Sequence, residues 1–232
     1  MDYRMNKTDY TEARRKMVAS QLRARGIHDP DVLRVMEEVP RHLFVPPDLA
    51  NQAYDDRPLD IGAGQTISQP YMVALMTELL AIEPHHRVLE VGTGSGYQAA
   101  VLAALAREVI TIERFEKLAQ AAAGRLRDAG YGNVRVVVGD GSAGAPDHAP
   151  FNRIIVTAGS PSIPPALKEQ LAPGGRLVCP VGPRHAQRLK VVDRRNGAFE
   201  ESESVGCVFV PLRGEQGWTD DEAEGDDGYP GE

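Results

Sequence analysis

Three glycines in five residues, within Glu90-Val-Gly92-Thr-Gly94-Ser-Gly96, follow a short apolar run that begins at Arg87. Without Cβ atoms such a segment turns tightly and lets the main chain approach a ligand. The amides that open the next helix then face the ligand's polar or anionic part. A turn needed only for packing is the competing explanation for a loop of this kind taken alone. Glu113 lies seventeen residues beyond Gly96, at the end of the next apolar run. An acid there can accept hydrogen bonds from both hydroxyls of a ribose; the blander alternative is an exposed charge paired with Arg114. Asp140-Gly141 closes a third run, where a short acid can contact an adenine amino group, or form only an Asx turn. Thr157–Gly159 closes a fourth. In open parallel sheets ligands bind beyond the carboxyl ends of the strands. Glu90, Gly92, Thr93, Gly94, Ser95, Gly96, Glu113, Arg114, Asp140, Gly141 and Thr157 are therefore the candidate nucleoside-binding set.

The spacing narrows the nucleoside. A dinucleotide fingerprint, G-x-G-x-x-G/A, requires a small residue at position 97, and Tyr97 stands there, which disfavours a nicotinamide-dependent oxidoreductase. There is no G-x-x-x-x-G-K-[ST] and no Gly-Lys pair, so phosphate-cradling nucleotide chemistry is disfavoured as well. C-x-x-C, H-E-x-x-H and G-x-S-x-G are all absent, and no metal is expected. His85-His86 reads as a solvated loop pair rather than as ligands. The pattern E-x-G-x-G-x-G, followed by an acid after the next strand, resembles that of S-adenosylmethionine-dependent methyltransferases. That ligand offers ribose, adenine, an amine and a carboxylate, and no pyrophosphate.

The elements that hold these residues follow from periodicity. Glu12 to Arg25 predicts a helix that stops at Gly26, and Asp29-Pro30 starts a short helix running to Glu38. Residues 41–70, rich in Pro, Gly, Asp and Gln, read as ordered covering loops. A helix begins at Pro70. Strands are expected at Arg87–Val91, Glu108–Ile112, Val134–Val138, Arg153–Thr157 and Arg176–Cys179. Helices fall between them, to Ala106, over 115–129 and from Pro164 to Leu171. This alternation means βαβ units and a parallel sheet covered on both faces. Asn196-Gly197 between Arg188–Asp193 and Ala198–Ser204 signals a hairpin, and Gly206–Leu212 offers one more strand. The fold class is thus α/β, a Rossmann-like doubly wound and mostly parallel sheet with antiparallel C-terminal strands and an N-terminal helical and loop extension.

Composition bounds the partners. The 232 residues carry 33 acids and 26 bases, with 42% hydrophobic and 25% charged residues, ordinary for a globular chain. Seven of the acids fall after Trp218, where no base occurs, so residues 1–218 are formally neutral. That is no footprint of a nucleic-acid binder. Residues 1–218 are read as one domain, with 1–70 covering a core at 71–218, and 219–232 as a disordered acidic tail. Ile61–Thr77, the longest uncharged stretch, is too short and polar to span a bilayer, and the first ten residues have no signal-peptide core. Cys179 and Cys207, both in apolar runs, are expected to be free buried thiols in a reducing compartment. The expectation is a cytoplasmic monomer without membrane or nucleic-acid partners.

One segment is more individual than the glycine loop: Gly64-Gln-Thr66-Ile67-Ser68-Gln-Pro70. With VLEVGTGSGYQAAVLA, ITIER, VGDG, NRIIVTAG, IPPALKEQLAPGGRLVCPVG and VFVPLRG, the chain resembles the protein-L-isoaspartate O-methyltransferases over roughly residues 12–213. The resemblance implies S-adenosyl-L-methionine as cofactor, S-adenosyl-L-homocysteine as product, and isoaspartyl-containing peptides and proteins as partners. It implies methylation of the free α-carboxylate of an isoaspartyl residue, followed by collapse of the ester to a succinimide. It makes Ser68 the catalytic serine, with Thr66 and Ile67 in the same substrate loop; an N-cap of the following helix is the structural alternative for Ser68. Asn152 and Gly159-Ser160 depart from the family's usual residues. A relative acting on another carboxylate or small molecule, and a non-catalytic S-adenosylmethionine-binding protein, remain as alternatives.

Overall fold

The computed structural model describes residues 10–224. The first helical stretch changes pitch along its length: α1 (Thr11–Met17) widens into a π turn over Val18–Leu22 and tightens to 3-10 over Arg23–Arg25. Gly26, at φ 93°, ends it where the sequence predicts. The wide turn keeps Met17, Val18 and Leu22 all buried while the Gln21 amide donates to the Tyr54 carbonyl. In α2 (Pro30–Glu38), the Asp29 side chain accepts from the amides of Asp31 and Val32, the cap that Asp-Pro announces.

Residues 41–70 are indeed ordered, but they also hold a small hairpin that periodicity does not reveal. β1 (Leu59–Gly62) pairs antiparallel with β2 (Gln65–Ile67), and α3 (Pro70–Leu80) follows directly. Five parallel strands come next: β3 (Arg87–Val91), β4 (Glu108–Glu113), β5 (Val134–Val138), β6 (Phe151–Val156) and β7 (Leu171–Val181). The antiparallel β8 (Gln187–Arg195) and β9 (Ala198–Cys207) complete a seven-stranded sheet of order β5-β4-β3-β6-β7-β8-β9. Asn196 and Gly197, at φ 51° and 82°, form the two-residue turn between β8 and β9. β7 begins five residues earlier than expected and leaves only a short α6 (Pro165–Glu169) before it.

The separate strand expected over Gly206–Leu212 does not form. β9 ends at Cys207, and the chain then runs beside the end of β6, where Gly159 N donates to Val210 O and Leu212 N to Gly159 O, both at 2.8 Å. Disorder from residue 219 is also corrected within the described residues. Asp220–Glu224 is a short helix, α7. Thr219 and Glu222 cap each other reciprocally, Thr219 N and Oγ1 donating to Glu222 Oε2 and Glu222 N to Thr219 Oγ1. Asp220 pairs with Arg114 at 3.2 Å, and Ala223 is buried. Residues 225–232 lie outside the described residues.

The sheet is apolar on both faces, as parallel sheets are. Val88, Val109, Ile155 and Val178 meet residues of α3 and of α4 (Tyr97–Ala103). Leu89, Val91, Ile110, Ile112, Ile154, Val156 and Leu177 meet Leu167 of α6 and Ala145. A third cluster joins the N-terminal helices to α4 and to Leu126 of α5 (Glu116–Asp128). Cys179 is buried and Cys207 half-buried, and both thiols are free.

The far end of α4 is tied down by one side chain, since Asn133 Nδ2 lies 2.9 Å from Ala103 O and 3.1 Å from Ala106 O. Asn133→Ala leaves these carbonyls unsatisfied at a cost of about 1–3 kcal/mol. Its thermal midpoint is expected to fall by roughly 2–4 °C per kcal/mol; an unchanged midpoint in scanning calorimetry would show that water replaces the amide.

Candidate functional site

The sheet order reverses between β3 and β6, and a crevice opens where their carboxyl ends diverge. β3 stops at Val91, whose carbonyl accepts from Thr157 N at 2.9 Å, while Ile112 O accepts from Gly92 N (2.9 Å) and Thr93 N (3.1 Å). To fold back into α4 the chain then places Gly92, Gly94 and Gly96 at φ 99°, 51° and 89°. At Gly92 a side chain is doubly excluded, because a Cβ would lie 2.5 Å from Thr157 Oγ1. That hydroxyl is 2.7 Å from Gly92 O and 3.0 Å from Val91 O. Glu113 buttresses the loop from the end of β4. Its Oε2 accepts from Gly94 N at 2.8 Å and its Oε1 from Phe115 N at 3.0 Å. It does not pair with Arg114.

Behind this turn lies a cavity of about 810 Å³, partly open to solvent. Thr66, Ile67, Ser68, Gly92, Thr93, Gly94, Ser95, Glu113, Arg114, Gly141 and Thr157 all line it, so residues from the QTIS segment and from four strand ends come together. A wider groove of about 1390 Å³ adjoins it and shares Thr66, Ser68, Thr157, Val210 and Pro211. Ser68 sits at the junction. It does not cap α3, whose N-cap residue is Gln69 with no side-chain bond. The Ser68 carbonyl instead accepts from Arg41 Nη2 at 2.8 Å.

Three members of the expected set are elsewhere. Asp140 is turned away from the cavity: its Oδ1 accepts from Ser142 N and Oγ, and its Oδ2 from Glu215 N at 2.8 Å. Gly214 is packed so close that a Cβ there would lie 2.0 Å from Oδ1. Burial would push this carboxyl up, but the Glu215 and Ser142 hydrogen bonds outweigh it and hold Asp140 below its ordinary value. The Asx-turn alternative therefore describes Asp140 better than an adenine contact, and the neighbouring Gly141 reaches the cavity. Gly96 packs against α5, its Cβ position 3.3 Å from Ala122 Cβ. Glu90 is buried in the sheet beside Thr111 and Ile155, with neither carboxylate oxygen hydrogen-bonded. Burial above all pushes it up to about 8, with the nearby Thr111 hydroxyl opposing the rise and Glu113 adding to it.

Arg213 also lines the cavity. Arg57 is exposed beside Asp55, and the Tyr54 hydroxyl is bound to His42 Nδ1 at 2.7 Å. Two of the three unusual residues have local reasons, and nothing in the structure explains Ser160. Asn152 Oδ1 accepts from Arg87 N, and at Gly159 a Cβ would lie 3.0 Å from Gln187 Cδ. Sequence reasoning missed Gln98 and Phe115 in the lining. Phe115 and Gln98 were findable, each standing two residues past a singled-out position. Only His85 of the histidine pair is exposed. His86 is buried, with Nδ1 accepting from Glu83 N, so the pair is only half solvated.

The sequence model of the family "Protein-L-isoaspartate(D-aspartate) O-methyltransferase (PCMT)" matches residues 13–217. Similar curated proteins include the protein-L-isoaspartate O-methyltransferase of Methanoculleus marisnigri, 56% identical over 205 residues, covering 88% of this chain and 93% of that protein. That of Pelotomaculum thermopropionicum is 54% identical over 90% of this chain and 91% of its own. Among solved structures, a protein-L-isoaspartate O-methyltransferase superposes with TM-score 0.78 at 28% identity, over 88% of this chain and 67% of that one. A structure from Plasmodium falciparum described as such an enzyme in complex with S-adenosyl-L-homocysteine superposes with TM-score 0.76 at 26% identity, over 86% and 98%.

Glu90 has a consequence for stability. Its pKa in the folded chain lies above the ordinary 4.5, so its contribution is complete below about pH 4.5 and is lost as pH rises toward 8. Glu90→Gln removes the titration. Its thermal midpoint should gain steadily on that of the unsubstituted protein between pH 5 and 8, and parallel curves would show that Glu90 stays ionised in the fold.

Proposed function

This chain belongs to the protein-L-isoaspartate(D-aspartate) O-methyltransferase family, and from that premise we propose that it transfers a methyl group from S-adenosyl-L-methionine to the free α-carboxylate of L-isoaspartyl residues in damaged peptides and proteins. The observation that carries the reading is the meeting of the QTIS segment and the glycine turn on one cavity, with Ser68 where that cavity joins an open groove.

The donor set suits this cofactor. Glu113 offers carboxylate oxygens at the position of a ribose acid, the glycine turn offers main-chain amides, and the turn carries no basic cluster of the kind a pyrophosphate would call for. Glu113, Arg114, Gly92–Ser95, Gly141 and Thr157 would hold the group; Glu90 and Gly96 would support the turn from behind. When bound, S-adenosylmethionine supplies an electrophilic methyl on a sulfonium.

The acceptor carboxylate is already ionised near neutrality, so no general base is required. One of its oxygens bonds to the methyl carbon as the carbon–sulfur bond breaks and the electron pair stays on sulfur, giving a methyl ester and a thioether with no proton moved. The protein's part is alignment, which in well-oriented cases contributes about 7–11 kcal/mol, and exclusion of water from the nucleophile. The Ser68 and Thr66 hydroxyls can orient the oxyanion without neutralising it, whereas a lysine would hold it in a full ion pair. The ester then closes to a succinimide, whose hydrolysis returns some normal aspartate.

The same reading takes residues 1–218 as one methyltransferase domain, with the 1–70 segment covering the 71–218 core. It has the enzyme act as a cytoplasmic monomer without nucleic-acid or membrane partners. A formally neutral body supports this, as do two free thiols. Among the described residues no helix is long and apolar enough to cross a membrane.

Two peptides differing only in aspartate against isoaspartate, offered with labelled S-adenosylmethionine, test the activity. Label should enter only the isoaspartyl peptide and be released by mild alkali. Transfer to neither peptide, with cofactor binding intact by calorimetry, would move the function to another acceptor or to a binding role. Ser68→Ala is expected to lower turnover on the order of 10- to 100-fold, the worth of a hydrogen bond to a charged group, while cofactor affinity holds. Equal loss of both would leave Ser68 only a structural part.

A further inference from the structure

Among the described residues Arg41 is the largest wholly buried side chain, and no carboxylate accompanies it. Its Nε donates to Ala53 O at 2.6 Å and its Nη2 to Ser68 O at 2.8 Å. Its guanidinium carbon lies 4.8 Å from the centre of the Tyr97 ring, and Nη1 is buried with no partner. A second cation, Arg14, is felt at both neighbouring tyrosines, Tyr54 and Tyr97. Carbonyl oxygens and a ring face solvate a guanidinium but leave its unit charge uncancelled. A buried charge without a counterion costs several kcal/mol. Burial lowers the Arg41 pKa to about 10, and the group stays protonated near neutrality.

Arg41 stands directly behind the substrate end of the cavity. Ser68 and Tyr97 both line that cavity, and the other lining residues of that end, Gln65, Thr66, Ile67, Val73 and Gln98, are uncharged. The lining cations, Arg114 and Arg213, approach Asp220 instead, at 3.2 and 3.8 Å. An anion seated beside Ser68 would therefore meet hydroxyls in contact and the Arg41 charge a hydrogen bond behind them, while the adjoining groove adds Arg25, held to Asp56 at 2.6 Å, with Arg184 and His185.

On the functional reading above, we propose that Arg41 is a positioning residue: a buried cation whose counterion is the acceptor carboxylate itself, acting through the Ser68 main chain without touching the substrate. A cation in contact would occupy the oxygen that must attack. One behind the loop draws the carboxylate in and leaves its lone pairs free. Methylation neutralises the acceptor and with it this attraction, so the same charge favours binding of the substrate over retention of the ester.

The test compares two ligands on the intact protein: an isoaspartyl peptide and the same peptide with the α-carboxylate replaced by a neutral carboxamide. The unsubstituted protein should prefer the carboxylate. Arg41→Met should reduce that preference about tenfold, the scale of a unit charge several ångströms away near a protein surface, by raising KM for the isoaspartyl peptide with little change in kcat. Affinity for S-adenosylhomocysteine should hold. Arg41→Lys should restore most of the preference. If Arg41→Met does not fold, the neutral Arg41→Gln, which can keep a carbonyl contact, carries the same comparison. Equal weakening of both peptides, or an unchanged preference, overturns the proposal while leaving the methyltransferase reading intact. A protein that methylates no isoaspartyl peptide and does not distinguish the two ligands overturns both.

Discussion

The main chain of β3 ends between two parallel neighbours, and three carbonyl–amide bonds close the gap it leaves: Thr157 N to Val91 O, and Gly92 N and Thr93 N to Ile112 O. These bonds bring the ends of β3, β4 and β6 level, and the chain can leave that point only by folding back over the sheet. The glycine turn, the Glu113 carboxylate against Gly94 and the Thr157 hydroxyl against Gly92 all follow from this one register. Removing the pleated alignment would leave a glycine-rich coil with no fixed face toward a ligand.

A second layer is built on the first. α4 leaves the turn with Tyr97 at its start, fully buried against Phe44 and near the Met36 sulfur. The residue that excludes a dinucleotide fingerprint in the sequence is thus the one that locks the N-terminal layer to the core. Through it the 41–70 segment is held over the strand ends, and Arg41 reaches both Ala53 and Ser68 from within that layer. Cofactor end and substrate end share one wall, so neither can shift without the other.

How much of this can be read without coordinates depends on how far apart the partners lie. The five parallel strands, the Asn196-Gly197 turn and the glycine loop are local patterns, and each is where its residues say. Asp140 misleads because the groups that claim its carboxylate include an amide 75 residues away. The β1–β2 hairpin hides because its turn puts Ala63, not only glycines, at positive φ. Arg41 gives no sign at all, since nothing in the sequence around it foretells burial without a counterion. The order after Trp218 is a different failure. Thr219-Asp-Asp-Glu222 is a readable capping box, and the density of acids around it obscures the signal.

β9 is the outer edge of the sheet, with one side of its backbone unpaired in the ladder. Such an edge is a template on which a foreign extended chain can be laid. Here Glu200, Glu201 and Glu203 stand along it in close succession, held by Lys168, Lys190, Arg188 and Arg195. Exposed Phe199 and Val205 stand on the same strand, so the carboxylates and their cations are what an incoming chain meets beside them. Any intruder must desolvate a run of carboxylates or displace their cations before its own backbone can bond. The cost of desolvating those charges thus falls on whatever chain would extend the sheet.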